Sequence, residues 1–287
     1  MTTLEVILSP AKLAALAGRD LRDTACVVFD VLRATSTIVT ALQNGAKAVI
    51  PVAEISEALA FHKKQPGVLL GGERDGVKIR AGQTGGVDFD LGNSPREYTP
   101  EKVRGKTIVS TTTNGTRALR ACAGAKTVLA ASFLNLTATA QFIRQLQPVE
   151  LLLVCAGTRE NMADEDVLAA GALCEILDAP LAPSLLGAPA SRRPVGSRKP
   201  DFAGETPALP RTVPRFGGVR LNDSVETARF AWRRAKSNLL EVVSEAENAR
   251  RLLAIPELRD DVAFCLRQDV FNLAAALGRD GAIRISI

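Results

Sequence analysis

The sequence predicts an α/β protein: a three-layer α/β/α arrangement around a largely parallel sheet, made of two internally similar β-α-β-α-β halves. Three observations carry this expectation. Apolar runs of strand length alternate with amphipathic segments of helical period through residue 177, the pattern of parallel strands joined by crossover helices. Residues 27 to 64 align without gaps to residues 106 to 143, element for element. Each of these stretches then leads to a Gln-Pro, a third apolar run and small residues ending in Glu and Arg, as "QPGVLLGGERDG" and "QPVELLLVCAGTREN".

The elements follow in order. "TLEVIL" near the start has no basic region ahead of its short apolar run, so it reads as a first strand and not as a signal peptide. The strand "VVFD" ends on Asp30, and Arg33 and the hydroxyl triplet Thr35, Ser36 and Thr37 mark its handover to a helix. Thr35 is the expected N-cap, Ile38 and Leu42 have helical apolar spacing, and Gly45 fits the left-handed position that stops a helix. A strand ("AVIPV"), a helix ("EISEALAFHKK") and a third strand lead to Glu73, Arg74 and Asp75. His62, at the polar end of that helix, is expected in solvent. "FDLGNSP" (89 to 95) carries a turn signal with Asn93 and Ser94.

The second half repeats the scheme. "KTIVSTTTNGT" places Thr111, Thr112, Thr113, Asn114 and Thr116 at the strand-to-helix junction, Leu119 and Cys122 supply the helical spacing, and Gly124 is the expected stop. "GTRENMADED" brings Arg159, Glu160, Asp164, Glu165 and Asp166 to the next loop, and a helix with an acidic first turn runs over 164–177, as the helix dipole favours. Glu165 reads as surface charge or capping.

Composition then breaks. Residues 178 to 220 hold eight of the fifteen prolines, with seven Arg/Lys against three Asp/Glu. The part from about 187 to 219 is therefore expected to be an insertion without a packed core. Residues 220–287 read as a C-terminal helical part, with "DSVE" at Asp223 resembling a capping box, then "SEAENARRLLAI" and the acidic-capped "RDDVAFCLRQDVFNL". The whole, 1–287, is taken as one domain with similar halves at about 1–104 and 105–185.

Several function classes are excluded on this basis. Hydrophobic residues make up 46% and charged residues 23%, ordinary for a globular enzyme. The longest uncharged stretch, "TVLAASFLNLTATAQFI", is studded with polar residues, which argues against a membrane span. The net charge of +5 is concentrated in residues 178 to 220, and no aromatics interleave with basic residues, which argues against nucleic acid. Five scattered cysteines without a C-x-x-C suit a reducing, cytoplasmic setting. A single histidine excludes His-clustered zinc sites.

The loops suggest oxyanion chemistry. Two Thr-rich junctions at equivalent strand ends offer hydroxyls and helix N-termini, where phosphate binds well, although Ser and Thr are also ordinary caps. Arginines in the neighbouring loops suit phosphate, carboxylate or sulfonate. Carboxylates converging with Asp30 would form an oxygen-only site, which suits Mg2+. No cysteine begins a C-x5-R loop, "DVLRAT" lacks the second aspartate of D-x-D phosphotransferases, and no P-loop is present, so metal-assisted attack by water is the economical mechanism.

The ordered set "DVLRATSTI", "GGER", "LGNSP", "TTTNGT", "CAGTRE" and "EDVLAAG" resembles the 2-phosphosulfolactate phosphatase family, often called ComB. The resemblance covers residues 4 to 180 and resumes in "DDVAFCLRQD". The 187–219 insertion and the end "DVFNLAAALGRDGAIRISI", without the expected "VVP", depart from the pattern outside the core motifs. The resemblance implies Mg2+-dependent hydrolysis of 2-phospho-3-sulfolactate to sulfolactate and phosphate, in coenzyme M biosynthesis. On this reading Asp30 and Glu73, with Asp166 as a third candidate, hold the metal or orient water, and Arg33 and Arg159 neutralise the substrate's anions. Thr111, Thr112, Thr113, Asn114 and Thr116 line the oxyanion cradle, and Thr35, Ser36, Thr37, Asn93 and Ser94 are further substrate-binding candidates. The expected partner is a small polyanionic phosphate ester, and a homodimer is compatible with the reading. The rivals are a hydrolase for a related phosphorylated acid and a non-catalytic anion-binding or regulatory protein with the insertion as a docking segment.

Overall fold

The two predicted halves are interleaved strand by strand in one sheet. The computed structural model describes residues 3–179 and 220–286, so the expected insertion at 187–219 lies outside the described residues. The chain begins with β1 (Thr3–Ile7) and the single turn α1 (Pro10–Leu13). The first repeat follows as β2 (Thr24–Phe29), α2 (Ala34–Gln43), β3 (Ala48–Pro51), α3 (Ile55–Lys64) and β4 (Leu69–Arg74). A hairpin adds β5 (Val77–Lys78), and the short turns α4 (Ala81–Thr84) and α5 (Pro100–Val103) lead on. The second repeat is β6 (Thr107–Thr111), α6 (Gly115–Ala121), β7 (Thr127–Ala131), α7 (Leu136–Leu146) and β8 (Glu150–Cys155), followed by α8 (Asp164–Asp178). Past residue 219 come β9 (Arg220–Leu221), α9 (Asp223–Ala235), α10 (Leu239–Ser244), α11 (Glu247–Leu253) and α12 (Arg259–Cys265). The chain closes with β10 (Ala275–Leu277) and β11 (Ile283–Ile285).

The strand order is β5-β4-β6-β3-β11-β10-β7-β2-β8-β1-β9. Two parallel triplets stand out, β4-β6-β3 and β7-β2-β8. In each, the first strand of one repeat lies between the second and third strands of the other. The antiparallel pair β10/β11 joins the triplets, bonding β7 on one side and β3 on the other. Read from either end, the eight central strands follow the same scheme, which is a pseudo-two-fold relation centred on β10/β11.

Burial explains the interleaving. β2 is buried along its whole length, as a strand covered on both faces must be. Its alternate residues Cys26 and Val28 share a core with Val128 and Val154 of its own triplet, with Val49 and Ile108 of the other, and with Ile38 and Leu42 of α2 and Leu119 of α6. Val27 and Phe29, on the opposite face, pack with Ile143 of α7, Leu173 of α8 and Trp232 of α9. Val109 and Leu70 turn outward from the other triplet onto Ala58 of α3. Helices thus cover both faces of a mixed, mostly parallel sheet, and α2 and α6 serve the inner faces of both triplets.

Four expectations change in detail. The gapless alignment holds for β3 against β7, but β2 and β6 correspond with an offset three residues larger, because α6 is shorter than α2. Gly45 is left-handed at φ +89°, whereas Gly124 is not among the left-handed residues and α6 already ends at Ala121. Asn222, not Asp223, caps α9, its side chain accepting from the Ser224 N–H. The part from 220 onward is not wholly helical, since β10 and β11 occupy the centre of the sheet. All five cysteines are free and buried, and no described helix is long and apolar enough to cross a membrane.

Candidate active site

The C-terminal ends of β2, β4, β6 and β8 border one cleft of about 90 Å3, and α11 forms a further wall. Of the residues singled out by sequence, Asp30, Arg33, Glu73, Asn93, Thr113, Asn114 and Arg159 line it. They come from both repeats, which the pseudo-two-fold brings together where α2 and α6 begin. A Cβ on Gly115 would fall 2.5 Å from the Ala34 Cβ and 2.6 Å from Asp30 Oδ2. Only glycine permits that approach.

The two junctions use one hydrogen-bond device. The Asp30 N–H donates to Thr35 Oγ1 (3.0 Å), the Thr35 hydroxyl donates to the Asp30 carbonyl (2.9 Å), and the Ala34 N–H donates to Asp30 Oδ1 (3.0 Å). In the second repeat the Thr112 N–H donates to Thr116 Oγ1 (3.2 Å), the Thr116 hydroxyl to the Thr112 carbonyl (2.9 Å) and the Thr116 N–H to Thr112 Oγ1 (3.1 Å). Asp30 and Thr112 thus hold equivalent places, and only the first repeat puts a carboxylate there. Thr35 is not the N-cap: it lies inside α2, and Asp30 supplies the side-chain oxygen that satisfies the first free N–H.

The remaining hydroxyls are spent on the scaffold. Ser36 donates to the Val31 carbonyl (2.8 Å), Thr37 to the Asn93 carbonyl (2.8 Å) and Thr111 to the Ala53 carbonyl (3.0 Å). Ser94 donates to Asp261 Oδ1 (2.7 Å). None of Thr35, Ser36, Thr37, Ser94, Thr111, Thr112 and Thr116 lines the cleft.

Glu73 ties two loops to the cleft. Its Oε1 accepts from the Thr113 N–H (2.7 Å) and its Oε2 from the Gly76 N–H (2.6 Å). Asp75 and Gly76 both have positive φ, 53° and 83°, the type I′ geometry that suits a two-residue hairpin between β4 and β5. Arg33 is committed as well: its guanidinium donates to Asp261 Oδ2 (2.7 Å) and to the Gly76 carbonyl (2.5 Å), and both members of the ion pair are buried. Asn114 donates to the carbonyls of Ala156 (3.0 Å) and Arg159 (2.9 Å), holding the loop after β8 against α6.

Behind the cleft lie two more buried carboxyls. Asp166 Oδ1 accepts from the Val31 N–H (2.8 Å) and Oδ2 from the Gly157 N–H (3.0 Å), so both oxygens brace loops and the residue does not line the cleft. Glu165 is buried, not surface charge: Oε1 accepts from Asn248 Nδ2 (2.8 Å), while Oε2 has no partner among the described residues. Burial pushes the Asp30 carboxyl up to about 6; the Ala34 N–H opposes that rise and neighbouring Glu73 adds to it. Glu165 is pushed up to about 7, mainly by burial, and Asp166 rises well above the usual carboxylate range by burial and by its neighbours Glu165 and Asp30.

Asp75, named in the charged loop but given no role, also lines the cleft; the sequence motifs missed Thr158, Asn248 and Arg251, which line it too, and Asp261, which anchors Arg33. The Asp-Gly dipeptide was a hairpin signal. Asn248 and Arg251 sit in a polar helical stretch that nothing distinguishes from a solvated face.

Among the described residues no group of three or more His, Cys, Asp or Glu side chains is arranged to hold a metal. The cleft nevertheless offers oxygen donors only, with the carboxylates of Asp30 and Glu73 on its wall. That set fits Mg2+, which keeps several waters and binds through one or two carboxylates plus substrate phosphate.

Comparison with known proteins gives a consistent result. The profile of the family described as 2-phosphosulpholactate phosphatase matches residues 12–279. A probable 2-phosphosulfolactate phosphatase of Caldanaerobacter subterraneus subsp. tengcongensis is 37% identical over 270 residues, covering 93% of each chain. The protein of the same description from Thermotoga maritima is 37% identical over 251 residues, 88% of each chain. That from Caldicellulosiruptor saccharolyticus is 47% identical over 155 residues, 53% of this chain and 61% of its own.

Proposed function

The chain belongs to the 2-phosphosulpholactate phosphatase family, and from that premise we propose that it hydrolyses 2-phospho-3-sulfolactate, or a closely related phosphorylated hydroxy acid, to sulfolactate and phosphate with Mg2+ as cofactor. It is a phosphoric monoester hydrolase. One observation carries the finer reading: Asp30 and Glu73, from β-strand ends of the first repeat, share a cleft with Thr113, Asn114 and Arg159 of the second.

Asp30 and Glu73 would hold the Mg2+, which when bound supplies charge neutralisation for the phosphate and an activated water. The protein's own residues do the rest. The Ala34 and Thr113 N–H groups fix the orientation of the two carboxylates before substrate arrives, and such preorganisation costs nothing at the moment of reaction. Arg159 stands at the open edge of the cleft to meet a polyanion, and Asn114 holds its loop in place. Arg33, paired with Asp261, keeps the hairpin turn closed over the site through the Gly76 carbonyl. Phosphate monoester hydrolysis is among the slowest uncatalysed reactions, so neutralising developing charge is the main task.

Phosphate release from 2-phospho-3-sulfolactate and a panel of phosphorylated hydroxy acids, with Mg2+ and after chelation, tests the proposal. Turnover of the sulfolactate ester that disappears in chelator and returns with Mg2+ is expected. Full turnover in chelator with no metal bound would remove Mg2+ from the mechanism. Tight binding of the panel without any phosphate release would favour an anion-binding protein.

A further inference from the structure

Two guanidiniums converge on Gly76, and among the described residues only one of them has a counter-ion. Arg33 bonds the Gly76 carbonyl and is neutralised by buried Asp261. Arg251 reaches the same turn from the other side of the chain: its Nη2 lies 3.8 Å from the point where a Cβ on Gly76 would stand. Arg251 lines the cleft and is half-buried, yet among the described residues no carboxylate lies within ion-pair distance of it and no acceptor bonds it. A partly desolvated cation without a counter-ion is stabilised by an anion that joins it.

The helix that carries Arg251 is held in place. Asn248, one turn earlier and on the same face of α11, donates through Nδ2 to Thr158 Oγ1 (2.5 Å) and Glu165 Oε1 (2.8 Å). These bonds pin α11 to the loop after β8 and to α8, so Arg251 is presented from a fixed wall. That wall is distinct from the strand ends that carry Asp30 and Glu73, where the proposed function places the phosphate.

We propose that Arg251 binds the oxyanion of the substrate that is not transferred, a carboxylate or a sulfonate, and so sets a preference for polyanionic over simple phosphate esters. This rests on the phosphatase reading above. Its test compares wild type with Arg251→Met and Arg251→Lys on 2-phospho-3-sulfolactate, 2-phospholactate and p-nitrophenyl phosphate. In Arg251→Met the preference for the sulfolactate ester over p-nitrophenyl phosphate, as a ratio of kcat/KM values, should fall about 10- to 100-fold, mainly through KM. Lysine should restore part of it. An equal loss of preference on 2-phospholactate assigns the contact to the carboxylate, and a loss confined to the sulfolactate ester assigns it to the sulfonate. A loss by the same factor on all three esters, or in kcat with KM unchanged, overturns the proposal.

Calorimetry with sulfolactate, which needs no turnover, separates this inference from the phosphatase reading. Binding by wild type that weakens at least about tenfold in Arg251→Met supports the contact. Undetectable binding by wild type, or equal binding by both proteins, overturns it. Absence of phosphate release from every ester counts against the phosphatase reading alone.

Discussion

Replacing Asp30 with asparagine sets stability against catalysis at the centre of the site. Asparagine keeps Oδ1, so the Ala34 N–H retains its acceptor and α2 its first hydrogen bond. The neutral amide also fits the space beside Gly115 that the carboxylate fills. What it removes is charge. The rise of the Asp30 carboxyl from 3.8 to about 6 means that ionising it in the fold costs up to about 3 kcal/mol. A carboxyl raised in the fold contributes stability that is fully present below about 3.8 and is lost as the pH rises through about 6. At pH 8 in chelator, Asp30→Asn should therefore melt above wild type by several degrees. Adding Mg2+ should raise the wild-type melting temperature and leave the variant nearly unmoved, because a bound cation offsets the same cost. Turnover should fall at least about 100-fold, or about 2.7 kcal/mol. Calorimetric melts with and without Mg2+, alongside steady-state rates, decide the matter. A variant that melts lower in chelator while keeping its kcat would show that Asp30 is a structural cap and nothing more.

Other substitutions probe the supports of the site. Gly115→Ala places a Cβ within 2.6 Å of Asp30 Oδ2 and should cost about 1–3 kcal/mol as α2 and α6 are forced apart, with a fall in kcat; unchanged urea midpoint and rate would refute the close approach. Asp261→Ala strands buried Arg33 without its partner and should cost about 3–5 kcal/mol in denaturant titration, whereas a loss under about 1 kcal/mol would show the pair to be dispensable. Glu165→Gln keeps the acceptor for Asn248 but removes a carboxyl raised from 4.5 to about 7. Wild type should accordingly lose stability relative to this variant as the pH climbs from about 4.5 through about 7. Melts across that range would overturn the assignment if the gap between the two proteins stayed constant.

Much of this was legible in the residues. Strand, polar loop and helix recur where "VVFDVLRATST" and "KTIVSTTTNGT" suggest, and Asp30, Glu73 and Arg159 reach one cleft. The direction of the hydroxyls was not legible. A Thr or Ser at a strand end can serve a ligand or its own backbone equally well, and Thr35, Ser36 and Thr116 all turn to the backbone. Nor could periodicity reveal the exchange of β2 and β6, since a strand buried on both faces reads the same whichever neighbours it has. "NLAAAL" hides β10 because alanine and leucine favour helices, and three-residue strands leave no alternation to detect.

The exchange of first strands also governs how the chain can be assembled. Neither repeat can complete a sheet alone, because the slot between its second and third strands is filled by the other. This is the topology of a strand-swapped dimer written into a single polypeptide. A nascent chain must therefore present β6 before β3 and β4 find their common neighbour, and must extend through β10 and β11 before the seam is sealed. Such long-range pairing implies slow folding. It also means that a cut between the repeats yields fragments that fold only in each other's company.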